Sequence, residues 1–364
     1  MSRISHIICA LFAATVALGA IADNPTPEVN TPVVLDSTQI FTLYSASLKQ
    51  TYRIQARLPA SYSTSSSKKY PLIIKVDGQW DFPLAASVFN NIYFDGQMPE
   101  TIVIGIDWSD VTGNIHAIRA RDLLPASVEG FENSGQAKQF TVALVKEIIP
   151  ALQQRYRLNG QEFLLGGSWG ATFVTYALLD QPDVFDGAIA IAGDYKSAGA
   201  VFDKQLKSLA NSQALKGKRL YLGVGKGDEV APDVLAYADK LSATKLTGFK
   251  LKVDALEGFG HSGMNVPGYA SGYQYMFERP NIEVAPAMLE QWVGDYIFRN
   301  KDAPELSIQI ESQMLVAKIN GKKLSVMAKA ENEFYHPDSF FNLTFDGTKA
   351  KLETFYGETN YQRK

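Results

Sequence analysis

Cysteine is almost absent: the 364 residues hold one, Cys9. A lone cysteine cannot close a disulfide within its own chain, so stability has to come from a packed core rather than from covalent staples. Neither sign of charge is in excess. The 35 Lys and Arg set against 38 Asp and Glu leave a formal charge of −3, which gives no basis for binding nucleic acid or an anionic membrane surface. Histidine is scarce, with 4 in the whole chain. Long apolar stretches are scarcer still. Ile7 to Leu18 is one, and it is too short to span a bilayer comfortably. Repeats and low-complexity tracts are missing as well, which excludes solenoids and arrays.

What is present begins at the N-terminus. Arg3, the apolar run and Ala20-Ile21-Ala22 give a positive start, an apolar middle and a small-x-small site. Together they predict a secretory signal over residues 1–22. A membrane anchor is the rival, but no basic residues follow to stop transfer. Cys9 comes too early in the apolar region for lipid attachment. The expected mature chain is therefore secreted or periplasmic, free of cysteine and not inserted in a membrane. Residues 24–31 read as a Pro- and Asn-rich linker.

The 46% of residues that are hydrophobic suffice for one large domain and a small one. Val33–Ser47 and Thr51–Leu58 predict an antiparallel edge. Tyr70–Val76 is a continuous apolar run, hence a buried parallel strand. Asp77 to Trp80 follows as a tight turn, with a helix from about Pro83. Thr101–Ile106 is the next strand. Trp108–Gly135 reads as long and irregular, as site-lining segments often are. Gln136–Tyr156 has helical periodicity. Strands at Phe163–Leu165, Ala188–Ala192, Arg219–Val224 and Phe249–Leu256 then alternate with helices at Ala171–Leu179, Val201–Leu209 and Ala231–Leu241. This alternation predicts a doubly wound α/β fold with a mostly parallel sheet, whose strand C-termini share one edge. After Pro286 the texture changes. A short helix over Ala287–Tyr296 is followed by alternating strands with turns at Asn320-Gly321 and Asp346-Gly347, a small antiparallel β domain. The expected partition is 1–22 signal, 23–286 catalytic domain, 287–364 β domain.

The chemistry centres on Gly166-x-Ser168-x-Gly170, between a strand and a helix. That is the spacing of a nucleophile elbow, where glycines make room for a strained serine. A serine hydroxyl needs a base, and the base needs an orienting acid. Outside the signal the histidines are His116, His261 and His336. His261, flanked by glycines after the last core strand, is the expected base. His116 reads either as pocket-lining or as solvent-facing, and His336 as surface. Asp228, leaving the preceding strand after a Gly-x-Gly, is the expected acid, with its neighbour Glu229 as rival. The order Ser, Asp, His is that of α/β-hydrolases. Two N–H donors should bind the oxyanion: Trp169, directly after the serine, and Gln79, in the turn after Tyr70–Val76. No metal or organic cofactor is needed. Phe82, Phe89 and the Tyr269–Phe277 stretch read equally as an apolar pocket or as core.

These segments resemble the esterase-D-like esterases of the α/β-hydrolase fold. The likeness rests on Tyr70-Pro71-Leu72-Ile73-Ile74-Lys75-Val76-Asp77-Gly78, on Arg119-Ala120-Arg121-Asp122-Leu123-Leu124-Pro125, on the elbow with Ala177 to Asp186, and on Gly258-Phe259-Gly260-His261. It covers about residues 35–280. Gly167 stands where the family pattern has histidine, and Leu123-Leu124 where it has Tyr-Thr. Arg119 and Asp122 are expected to form a structural ion pair beside the pocket. The tail from Gln291 to Arg363 resembles a small lipocalin-like β domain, which would cap the site or hold the enzyme to a polymer. The resemblance implies a serine carboxylic-ester hydrolase acting on a small-molecule or polysaccharide-linked ester. An acyltransferase, a peptidase or a non-catalytic binding shell would use the same scaffold.

Overall fold

In the computed structural model the described residues are 33–108, 113–298 and 306–364. The signal segment, Cys9 and the linker at 24–31 lie outside them. The chain divides into two compact units, Met1–Asp36 and Ser37–Lys364. Of the first, only 33–36 are described, and they carry no helix or strand.

The second unit opens with β1 (Thr38–Ser45) and β2 (Gln50–Arg57), then β3 (Tyr70–Val76), α1 (Gly78–Phe94), β4 (Ile102–Asp107), α2 (Ile115–Leu123), α3 (Ala137–Ala143) and α4 (Ile149–Arg155). It continues with β5 (Leu158–Gly167), α5 (Trp169–Asp180), β6 (Gly187–Ile191), α6 (Gly199–Leu209), β7 (Arg219–Gly225), α7 (Ala231–Ala243), β8 (Lys250–Leu256) and α8 (Asn265–Met276). The eight strands form one sheet in the order β1-β2-β4-β3-β5-β6-β7-β8. The β1-β2-β4 edge is antiparallel, and every pairing from β4 to β8 is parallel. This is the expected mixed α/β architecture.

The core lies on both faces of the sheet. Side chains alternate across a strand. Leu72, Ile74 and Val76 of β3 therefore pack with Phe140 and Phe173 on one face, while Ile73 packs with Phe82, Phe89, Tyr269 and Tyr273 on the other. The aromatic residues left open between pocket and core are thus core: Phe82 and Phe89 on α1, Tyr269 and Tyr273 on α8. Helix α8 went unseen in the sequence because its small and aromatic residues give it little amphipathic contrast.

Four boundaries differ from expectation. The first strand starts at Thr38, not Val33. Asp77 to Trp80 is not a free turn: helix α1 starts at Gly78 and is bent at Asp81, whose φ of −146° is not helical. Trp108–Gly135 contains helix α2, although residues 109–112 lie outside the described set. The helix expected over Ala287–Tyr296 ends early: α9 is Pro286–Glu290, and Gly294–Ile297 is a strand, β9.

The tail continues as β10 (Leu306–Glu311), β11 (Met314–Ile319), β12 (Lys322–Ala330), β13 (Glu333–Tyr335), β14 (Phe341–Asp346), β15 (Lys349–Thr354) and β16 (Gly357–Arg363). With β9 these close an eight-stranded antiparallel barrel. Closure removes exposed strand edges. Trp292, Tyr296, Phe334 and Phe345 belong to the barrel's own core. The barrel docks on the C-terminal ends of α1 and α8. The Phe94 and Phe355 rings lie 4.4 Å apart, the Arg279 guanidinium lies 3.9 Å from the Tyr335 ring, and Ile282 N–H donates to Ala328 O at 2.9 Å. At 1.5 Å per residue α1 is about 25 Å long, and Ser168 lies at its other end. Among the described residues these barrel contacts thus lie at the end of α1 away from Ser168. Among the described residues no helix is long and apolar enough to cross a membrane.

Glu162 on β5 is buried, and one of its carboxyl oxygens has no partner. Burial pushes its carboxyl up, opposed by the Gln153 hydrogen bond and reinforced by Asp186. A carboxyl raised on folding favours the fold below its unfolded pKa, and this contribution is lost as pH rises through the folded value. Glu162→Gln removes that loss. Its melting temperature is expected to exceed wild type at pH 8, with the difference closing towards pH 3.

Candidate active site

Strands β3, β5, β7 and β8 all end at one edge of the sheet, and each loop leaving it carries one predicted group. At the end of β5, Ser168 sits at φ 56°, ψ −127°, a strained conformation for a non-glycine residue. The flanking glycines have direct steric reasons. A Cβ on Gly166 would stand 2.3 Å from Gly170 O, and one on Gly170 would stand 2.9 Å from Val76 Cγ2. The elbow is thus wedged between its own helix and β3.

Asp228 follows β7 and is buried. His261 follows β8, with 43% of its side chain exposed. The imidazole Nδ1 lies 2.8 Å from Asp228 Oδ2. A carboxylate can only accept, so Nδ1 donates to it and Nε2 is the nitrogen left for other partners. Glu229, the rival acid, is exposed. The two loops are pressed together: a Cβ on Gly225 would stand 1.9 Å from Phe259 O. Gly225→Ala must push back the segment that carries His261. The expected result is a loss of about 1–3 kcal/mol in stability together with reduced ester turnover. A variant matching wild type in both would show that the loop yields freely.

Ser168 and His261 line one cavity of about 400 Å³, with Lys75, Asp77, Trp80, Asp81, Arg119 and Asn265 among its walls. Larger cavities of about 530 and 640 Å³ hold no serine–histidine combination. Gln79 and Trp169 stand in the first turns of α1 and α5, where backbone N–H groups lack an intrahelical acceptor. Lys75 of β3 is in register with Leu165 of β5, so both helix starts leave adjacent strands. The Gln79 side chain is engaged elsewhere, donating to Asp77 Oδ1 at 3.1 Å and accepting from Trp108 N–H at 3.4 Å.

The walls carry four charges in two pairs. Lys75 Nζ meets Asp81 Oδ1 at 2.5 Å, and Arg119 holds Asp77 through Nε–Oδ1 at 2.6 Å and Nη2–Oδ2 at 2.7 Å. The expected Arg119–Asp122 pair does not exist. Asp122 instead pairs with Arg121 and accepts from Tyr52 Oη and Trp108 Nε1, each at 2.9 Å. Lys75, Asp81 and Asn265 were not singled out from the sequence. The signal was a lysine inside an otherwise apolar buried strand. His116 is exposed and stacks on Trp80 at the rim, with ring centroids 6.1 Å apart. His336 is half-buried in the β13–β14 connection, where Nδ1 accepts from Asp338 N–H at 3.2 Å. Among the described residues no group of three or more His, Cys, Asp or Glu side chains could hold a metal ion.

A family model described as "Putative esterase" matches residues 45–265, more than half of the chain. The chain belongs to that esterase family. The family makes it a carboxylic-ester hydrolase. No curated protein sequence matches the esterase. Solved structures share its fold. One is the BES protein from Bacillus cereus, with TM-score 0.61 and 17% identity over 69% of this chain and 98% of that one. Another is an IroE-like serine hydrolase from Shewanella oneidensis, with TM-score 0.58 and 23% identity over 70% and 84%. A third is the siderophore hydrolase EstB from Aspergillus nidulans, with TM-score 0.57 and 19% identity over 68% and 97%. All three cover about the length of this esterase's α/β region.

Proposed function

We propose that this esterase works through an acyl-enzyme on Ser168. The observation that carries the reading is the Asp228–His261 hydrogen bond beside a strained serine on the same cavity. His261 Nε2 takes the hydroxyl proton as Ser168 Oγ attacks the ester carbonyl. Asp228 holds the Nδ1–H and stabilises the imidazolium that forms. The Trp169 and Gln79 N–H groups, at two helix starts, receive the developing oxyanion. The imidazolium then protonates the departing alkoxide. Water, activated by the same imidazole, releases the acid. Exposure of His261 gives water a path to the acyl-enzyme.

We further assign residues 23–286 to catalysis and 287–364 to the barrel, and place the mature protein outside the cytoplasm. The substrate is a small or polymer-linked ester. A fluorophosphonate adduct mapped to the Ser168 peptide, together with turnover of short-acyl, feruloyl, acetylated-sugar and trilactone siderophore esters, tests the chemistry. A folded protein that takes no adduct and cleaves none of these sinks it.

A further inference from the structure

Lys75 is buried one residue before the C-terminal end of β3, with 1% of its side chain exposed. The pleat turns it to the face of α1 and α8. Its Nζ pairs with Asp81 and donates to Val76 O at 3.0 Å. The bend in α1 at Asp81 delivers the carboxylate to it. With an ammonium on one oxygen, Asp81 is an acceptor only. Its other oxygen, Oδ2, accepts from Tyr269 Oη and from Asn265 Nδ2, the latter at 3.1 Å. Burial and then the Asp81 charge push the Tyr269 phenol well up, so it stays a donor.

This fixes the direction of the Asn265 amide. A carboxylate can be met only by the NH₂ end, so Oδ1 must turn the other way. The amide lies against Gly167 with Oδ1 the nearer end: a Cβ there would stand 3.2 Å from Oδ1 and 3.6 Å from Nδ2. Gly167 and Asn265 both line the cavity, and Gly167 directly precedes Ser168. A buried ion pair on β3 and α1 thus sets the polarity of the wall beside the nucleophile. Because the Lys75 and Asp81 charges cancel, the wall presents neutral acceptors, Asn265 Oδ1 and the Ser262 hydroxyl among them.

We propose that Asn265 is a specificity-determining residue: its Oδ1 accepts a hydrogen bond from a hydroxyl or amide N–H on the arm of the ester that lies over Gly167. The inference rests on the ester-hydrolase reading above and adds the substrate class to it.

The test uses the full chain and matched esters. For the acyl arm, p-nitrophenyl butanoate is compared with its 2-hydroxy and 3-hydroxy analogues. For the alcohol arm, propyl acetate is compared with 2-hydroxypropyl acetate. Each kcat/KM is divided by the rate of hydroxide-catalysed hydrolysis, which removes intrinsic reactivity. Wild type is expected to prefer a hydroxylated ester on one arm by about three- to tenfold, the worth of one hydrogen bond. Asn265→Leu deletes the acceptor, and Gly167→Ala covers it with a methyl group. Both bring the ratio close to one. The ratio is read within one preparation, so a change in the folded fraction cancels. If Asn265→Leu does not fold, Gly167→Ala still decides. Flat ratios in wild type on both arms, or a preference that survives both variants, overturn the role of Asn265 while leaving the esterase mechanism standing. Absence of any turnover and of a Ser168 adduct overturns both.

Discussion

Replacing Ser168 by alanine is expected to lower kcat for p-nitrophenyl acetate by about 10⁵- to 10⁶-fold, the scale seen when a triad serine is removed. The substitution takes away the attacking oxygen and little else. Alanine meets the same backbone strain at φ 56°, so stability should change by roughly 0.5 kcal/mol or less. The fluorophosphonate adduct disappears with the hydroxyl. His261→Ala should cost nearly as much, because the serine is a poor nucleophile without its base. The Ser168→Ala/His261→Ala double variant should be no worse than either single one, since the two residues act as one unit. Multiplying losses would instead mean independent roles. Wild-type-like turnover in Ser168→Ala would end the acyl-enzyme mechanism.

The elbow could be read from the sequence because its constraint is local. Gly166 and Gly170 are forced by backbone atoms within a few residues and by the adjoining strand, so the pattern prints itself in five positions. The sheet was legible for a similar reason: strands buried on both faces are near-continuous apolar runs, and their alternation with helices has few topological solutions. In the sequence Asp228 is preferred to Glu229 only for lying nearer the strand end, because both leave the same strand. The hydrogen bond to His261 belongs to Asp228, and that depends on how two loops pack across Gly225 and Phe259.

Pairings between distant elements were invisible. The Arg119–Asp122 pair is expected from the family resemblance, and the two residues stand three apart on α2. Helix α2 instead presents Arg119 to Asp77, 42 positions earlier, and Asp122 to Tyr52, 70 positions earlier. Three barrel strands left no clear sequence signal: β9, inside the segment expected to be helical, β13, which is three residues long, and β16, whose Gly-Glu-Thr-Asn-Tyr-Gln-Arg carries a single large apolar side chain. Its place in the sheet comes from closing against β9 and β15, a constraint that no stretch of sequence holds alone.

Breaking the Arg119–Asp77 pair is expected to have the largest effect on stability. Both side chains are buried, at 6% and 4% exposure, and the contact is bidentate. The guanidinium lies 4.3 Å from the Trp80 ring and 5.2 Å from that of Trp169, so it ties together the starts of α1 and α5. Arg119→Met leaves Asp77 ionised and unpaired. The expected cost is about 3–5 kcal/mol, a fall in melting temperature of roughly 10 °C for a domain of this size. Lysine should rescue only in part, because an ammonium cannot span both oxygens or stack flat between indoles. Adding Asp77→Asn should return much of the loss: it removes the stranded charge, and asparagine tolerates the left-handed φ of 63° at that position. Activity should not return with stability. Asp77 stands two residues before Gln79, and its carboxylate fixes the turn that aims the proposed oxyanion donor. The double variant is therefore expected to melt near wild type while kcat stays low and KM moves little, which is the mark of an interaction made in the transition state. If kcat recovered in step with the melting temperature, the pair would be a structural brace alone.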